Sequence, residues 1–223
     1  MPMPGLQMTL SRLLEGLVVL NADKDRDISG LAVDSRRVQP VDLFIAGAGA
    51  GATAHGLDFA LQAIEQGAAA ILYDTRDEQR VEALVKMLSG SLSGSGSARL
   101  PLFAVTNLRE QLGVIAACFY NDPSRDQFVV GITGTNGKTS VAYFVAQLLS
   151  SVSLLTGYGG TSGWGFGGRP CDGGLTTEDA VTVQRRLDNI TSEGSSWGAL
   201  EASLTALERA TKEALQTDTA AST

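Results

Sequence analysis

The sequence predicts an α/β protein, a small N-terminal α/β domain followed by a parallel-sheet domain built around a phosphate-binding (P-loop) turn. Three observations carry this. Short apolar, β-branched runs alternate with helical patterns along most of the 223 residues, as layered folds with largely parallel strands require. The run Phe128-Val-Val-Gly-Ile132 leads through a glycine-rich turn into a helical pattern beginning near Ser140. Between the two halves, Asn121-Asp-Pro-Ser124 is a turn signal and marks the domain boundary.

Residues 8–20 place leucines at helical spacing and predict a short helix, with strands at 30–34 and 42–45. Leu57 to Gln66 has apolar residues three and four apart and reads as a helix leading to a strand at 69–73. From Glu78 to Leu88 the residues Val81, Leu84, Val85 and Leu88 share one helical face. Ser89-Gly-Ser-Leu-Ser-Gly-Ser-Gly-Ser97 is a surface loop by composition. A strand at 100–105 and an amphipathic helix at 108–120 complete the first domain, residues 1–122. The second, 127–215, holds the strand and turn at 128–139, a helix at 140–149 and a glycine-dense, irregular stretch at 157–174. A helix at 178–190, a buried strand at 197–201 and a terminal helix at 204–215 follow. Residues 216–223 are expected to be a disordered tail.

The chemistry concentrates in Gly131-Ile-Thr-Gly-Thr-Asn-Gly-Lys-Thr-Ser140. A strand, a glycine turn and a helix start form a cradle in which backbone N–H groups and the helix dipole face a phosphate. Gly134 and Gly137 permit the backbone geometry, Thr135, Asn136 and Ser140 complete the loop, and Lys138 reaches the outer phosphates. Thr139 stands where a P-loop hydroxyl holds Mg²⁺. Ile132 occupies the position where the common pattern has its first glycine, so the match is to a variant, G-x-x-G-x-N-G-K-T.

Composition sets the outer limits. Hydrophobic residues at 43% and charged residues at 18% describe a folded globular chain. A net charge of −7 without a basic patch argues against nonspecific binding to nucleic acid or an anionic membrane, so no nucleic-acid partner is expected. No apolar stretch reaches the ~20 residues of a membrane span, and the N-terminus lacks the basic start and apolar centre of a signal peptide. Cys118 and Cys171 show no metal or redox spacing, consistent with reduced thiols in the cytoplasm. His55 is the single histidine, sits in a glycine-rich loop and reads as structural.

The loop variant Thr133-Gly-Thr-Asn-Gly-Lys-Thr139 resembles that of the Mur ligases and their folylpolyglutamate synthase relatives. Val33-Asp-Ser-Arg-Arg37, Asp42-Leu-Phe-Ile-Ala46, His55-Gly-Leu-Asp-Phe59 and Gln66-Gly-Ala-Ala-Ala70 resemble the first domain of the MurE type. Thr161-Ser-Gly-Trp-Gly-Phe-Gly167 and Gly174-Leu-Thr-Thr-Glu-Asp-Ala180 continue the likeness, which covers most of residues 8 to 201. It implies an ATP- and Mg²⁺-dependent, amide-forming ligase of peptidoglycan precursor synthesis in the cytoplasm. Such an enzyme adds a diamino acid, diaminopimelate or lysine, to UDP-N-acetylmuramoyl-L-alanyl-D-glutamate through an acyl phosphate. By the same resemblance Lys138 is the catalytic lysine, and Glu201 joins Thr139 at the metal. Val33, Ser35, Ala52, Thr53, Ala54, Thr176, Thr177 and Ser203 fall at substrate-contacting positions. Plainer readings stand beside these. Glu201 would serve as a solvated helix-start glutamate, Thr177 as a helix N-cap with Asp179 in the first turn, and Arg36 and Arg37 either steer a diphosphate or sit in surface ion pairs.

After Glu201 the resemblance breaks. Ser203 survives, but Leu204 and Thr205 replace a serine and a histidine, and the second-metal ligands and the amino-acid-gripping C-terminal domain have no counterpart. The expectation is a truncated or divergent ligase with a partial ATP domain, incomplete and inactive alone and able to associate with other chains. A non-catalytic nucleotide- or UDP-sugar-binding module is the first alternative. A folylpolyglutamate-type ligase is the second, opposed by the Asp34-Ser-Arg36 and Asp42-Leu-Phe44 segments.

Overall fold

A computed structural model describes residues 6–47, 55–91, 100–152, 154–160, 163–166, 169–172, 179–201 and 219–222. By internal contacts the chain forms two compact units, Met1–Ile115 and Ala116–Thr223. The division falls inside a helix just ahead of the turn that the sequence marks at 121–126.

The first unit opens with β1 (Met8–Thr9), paired antiparallel to β2 (Asp27–Ile28). The helix expected over 8–20 shrinks to α1 (Leu10–Leu13). Thr9 stays extended and caps it, and Gly16 turns into the left-handed region at φ 77°, so the leucine spacing marks one buried turn. β3 (Gly30–Ala32), β4 (Asp42–Ala46), β5 (Ala70–Asp74) and β6 (Leu102–Val105) then make an all-parallel sheet in that order. Every residue of β4 is buried, as a central strand covered on both faces requires. Phe44, Ala46 and Ile71 pack with Ala60 and Ala63 of α2 (Ala60–Glu65) and with Val81 and Leu84 of α3 (Glu78–Ser91). Each large side chain buried this way contributes about 1.5–3 kcal/mol. The helix expected from Leu57 begins as a 3-10 turn, Gly56–Phe59, before α2. α4 (Leu108–Phe119) matches its expectation.

In the second unit β7 (Phe128–Thr133), β11 (Trp197–Glu201) and β8 (Thr156–Gly160) lie parallel, with β11 central. Side-chain alternation sorts the helices. Val130, Ile132, Tyr158 and Ala199 meet Ala142 and Ala146 of α5 (Lys138–Ser151), whereas Val129 and Leu200 meet Leu187 and Ile190 of α6 (Ala180–Ser192). The two helices therefore cover opposite faces. The stretch expected to be irregular instead builds a meander. β9 (Gly163–Phe166) runs antiparallel to β8, and β10 (Arg169–Asp172) antiparallel to β9. The glycines misled the reading because they serve packing: a Cβ at Gly157 would strike Ile190, and one at Gly159 would lie 2.9 Å from Leu200 Cδ2. The expected disordered tail also needs correction, since β12 (Thr219–Ser222) pairs in parallel with β7. Backbone pairing along β7, which needs no apolar pattern, explains a strand that composition hides. The terminal helix at 204–215 lies outside the described residues.

Two features of the first unit have measurable consequences. In the turn Gln39-Pro-Val-Asp42, Asp42 N donates to Gln39 O at 3.1 Å and Val41 takes φ 72°. A β-branched residue is strained there, and Val41 is 44% exposed, so little burial offsets the cost. Val41→Asn is expected to stabilise the unit by about 1 kcal/mol, read as a higher urea midpoint. Asp74, at the end of β5, accepts from Leu108 N at 3.0 Å and pairs with Arg76 at 2.9 Å, and so caps α4 from 34 residues away. The Arg76 hydrogen bond chiefly lowers its pKa from 3.8 to about 2. The resulting stability is complete above pH 3.8 and is lost as the pH falls from about 4 through about 2. Arg76 is largely exposed, so screening limits the contribution to about 1–2 kcal/mol. Asp74→Ala should lower the urea midpoint at pH 6 and flatten its decline between pH 4 and 2.

Candidate functional site

Four residues make the whole turn between β7 and α5, because β7 ends at Thr133 and the helix starts at Lys138. Gly134 has φ 147° and Gly137 φ 78°. A Cβ at Gly137 would meet nothing within 4 Å, so backbone conformation and not space demands glycine there. Gly137 is also the N-cap of α5, and having no side chain it leaves the first helical amides without a side-chain cap. Thr135, Asn136, Gly137 and Ser140 are exposed, while Lys138 and Thr139 are half-buried. Lys138 Nζ donates to Gly134 O at 2.8 Å, so the ammonium bends back over the turn it belongs to. A carbonyl is a weaker partner for an ammonium than a phosphate oxygen, so an arriving anion competes well for it.

Beside this turn, β11 ends at Glu201, whose backbone registers with Ile132, two residues ahead of Gly134. The expected metal carboxylate and the loop thus share the C-terminal edge of one parallel sheet. Among the described residues no group of three or more His, Cys, Asp or Glu could hold a metal. A magnesium ion held mainly by phosphates and waters needs no such cluster, only one or two protein oxygens.

The first unit contributes a second, separate cluster. Val33 follows β3 and Ser35 opens a 3-10 turn, Ser35–Arg37. Asp34 accepts from Arg36 N at 3.0 Å and pairs with the Arg36 guanidinium at 2.7 Å. That hydrogen bonding holds its carboxyl below the ordinary range. Arg36 is therefore engaged with its neighbour. Ser35 is 5% exposed, and its Oγ donates to Gln62 Oε1 at 2.7 Å. Turned with its nitrogen toward the same turn, the Gln66 amide donates to Ser35 O at 2.9 Å and Val38 O at 3.0 Å. Gly56 N donates to Gly47 O at 3.3 Å, which joins the two described residues that flank the sequence positions of Ala52, Thr53 and Ala54.

Those three residues, with Thr176, Thr177 and Ser203, lie outside the described residues. The cap expected of Thr177 belongs instead to Asp179, which accepts from Thr182 N at 2.9 Å because α6 starts only at Ala180. His55 is structural as expected: its Nδ1 accepts from Leu57 N at 3.2 Å, and Asp58 accepts from His55 N at 3.0 Å. Its Nε2 also meets Asp77 at 3.1 Å, a partner that sequence proximity does not reveal. Gln62 and Gly56 were missed. Their spacing to Ser35 and Gly47 carries no local signal.

Comparison with known proteins finds family matches along both halves of the chain. The Mur ligase middle domain profile matches residues 132–223, and the profile described as Mur ligase family, catalytic domain, matches residues 27–120. The chain belongs to the Mur ligase family. The UDP-N-acetylmuramoyl-L-alanyl-D-glutamate--2,6-diaminopimelate ligase of Alkalilimnicola ehrlichii is 39% identical over 202 residues, 91% of this chain and 39% of that protein. The enzyme of the same name from Pseudomonas putida is 38% identical over 218 residues, 98% of this chain and 40% of that protein. The chain thus spans about two fifths of the length of these relatives. A solved structure with the same enzyme name superposes with a TM-score of 0.61 at 24% identity, over 88% of this chain and 36% of that one. UDP-N-acetylmuramoylalanyl-D-glutamyl-2,6-diaminopimelate--D-alanyl-D-alanyl ligase from Acinetobacter baumannii gives 0.59 at 16% identity, over 100% of this chain and 42% of that one. At these identities the likeness speaks for the fold alone.

Gly56 provides a direct check on the cluster of the first unit. A Cβ there would lie 2.8 Å from Gly47 O and 2.9 Å from the Ala46 backbone. Gly56→Ala should therefore pry open the loop base and cost about 1–3 kcal/mol, measured by urea denaturation.

Proposed function

We propose that this chain supplies the UDP-sugar unit and the ATP cradle of a cytoplasmic ligase that adds a diamino acid to UDP-N-acetylmuramoyl-L-alanyl-D-glutamate. The observation that carries the reading is the turn from β7 to α5, with two positive-φ glycines, a glycine N-cap and Lys138 folded back over the turn. The names of the relatives favour 2,6-diaminopimelate as the diamino acid. Mur ligases are ATP-dependent, and ATP supplies the phosphoryl group that activates a substrate carboxylate for attack by an amine.

The chain's own residues would do the following. The amides from Gly134 to Ser140 receive the phosphates, and Lys138 exchanges the Gly134 carbonyl for the outer phosphate oxygens. Thr139, in the first turn of α5, and Glu201, at the end of β11, would hold Mg²⁺ at the shared sheet edge. The Lys138 ammonium would lower the repulsion between the γ-phosphate and the carboxylate, Mg²⁺ when bound would supply further positive charge there, and the cradle would hold the phosphates in line. In the other unit, Val33, Ser35 and the loop bearing Ala52, Thr53 and Ala54 would take the uridine diphosphate, and Thr176, Thr177 and Ser203 the muramoyl dipeptide.

The alternative reading is binding without turnover. A turnover assay with ATP, the UDP-muramoyl dipeptide and diaminopimelate separates the two, since product supports the ligase and binding without product supports the module. Calorimetry with ATP and Mg²⁺ tests the cradle common to both. Lys138→Ala should weaken nucleotide binding by roughly ten- to a hundredfold, the worth of a charge-assisted hydrogen bond to phosphate. Equal affinity in the wild type and the variant would overturn the cradle.

A further inference from the structure

We infer that Gln62 is a positioning residue for the uridine diphosphate end of the site, acting through the Ser35 hydroxyl. The inference rests on the reading of the first unit as the UDP-sugar binder.

A serine hydroxyl has one proton and rotates to suit its surroundings, so on a short turn it presents no fixed direction. Here Gln62 Oε1 accepts that proton at 2.7 Å, which fixes the rotor and leaves the Oγ lone pairs aimed in one direction. Backbone anchoring comes from the same helix, because Gln66 holds Ser35 O and Val38 O at 2.9 and 3.0 Å. Residues four apart on a helix share a face, so Gln62 and Gln66 grip the side chain and the backbone of one turn together. The helix behind them is firmly seated, since Ala60 and Ala63 are fully buried in the core against the parallel sheet. The Asp34 carboxylate at the start of the turn is occupied by Arg36. The turn that carries Ser35 is thus fixed by α2, outside the segments that touch ligand. That arrangement spares the ligand the ordering of the turn, the ordinary source of affinity in a preorganised site.

The chemistry predicts a coupled pair, and a double-mutant cycle on the full chain reads it. UDP affinity is measured by calorimetry for wild type, Ser35→Ala, Gln62→Met and the double variant, alongside the melting temperature of each. Both single variants should weaken UDP binding by about tenfold, and the double variant no further, because Gln62 works through Ser35. Gln62→Glu, which still accepts the serine proton, should bind within about twofold of the wild type and act as the conservative rescue. Additive losses would overturn the inference, as would a Gln62→Met variant that melts lower but binds UDP normally. So would a Gln62→Glu variant as weak as Gln62→Met. A wild-type chain that binds no UDP would instead overturn the reading of the first unit itself.

Discussion

In a parallel sheet every strand delivers its C-terminal end to the same edge, and most of the chemistry of this chain follows from that constraint. β7, β8 and β11 run in one direction, so the glycine turn after Thr133 and the carboxylate residue Glu201 reach that edge as neighbours. Strand order does the positioning, with β11 registered directly against β7. α5 begins at a glycine, which brings no side-chain cap of its own to the helix start. The parallel sheet of the first unit delivers the turn at Ser35 and the loop after Ala46 from β3 and β4 in the same manner.

Burial and backbone specials divide the labour between stability and site. Ala142 and Ala146 bring α5 close to its sheet, and Gly157 does the same for Ile190 of α6. These small residues let the helices sit tightly enough for the loop ends to be defined by the framework. In the first unit, by contrast, polar side chains do much of the locating. Asp74, Gln62 and Gln66 each tie a turn or helix start to an element distant in sequence. Such bonds are worth about 1 kcal/mol each, yet without them the turns would have many conformations of similar energy.

How much of this was legible in the sequence depends on how local the cause is. The strand, turn and helix around Gly134 to Lys138 follow from residues within a few positions of one another, and β11 appeared with its expected ends. Residues 8–20 failed because leucine spacing alone does not distinguish one capped turn from three. Residues 157–174 failed because glycine means a breaker in isolation and a close-packing surface beside Ile190 and Leu200. The strand at 219–222 depends on its partner β7 and not on its own Thr-Ala-Ala-Ser sequence. Around Ser35, the support that the fold provides was not legible. Gln62 lies 27 residues from the hydroxyl it holds, and no periodicity connects them.

The pairing of β12 with β7 has a practical side. Because the two strands are parallel and Ser222 registers with Thr133, the polypeptide leaves β12 on the same rim as the residue that opens the phosphate turn. Whatever is joined after residue 222, whether a purification tag, a linker or a fused domain, therefore emerges beside Gly134. An oligohistidine tag there would bring a metal-binding, partly cationic tract within reach of bound polyphosphate. A chain with nothing joined after β12 keeps any measured nucleotide affinity a property of the loop itself.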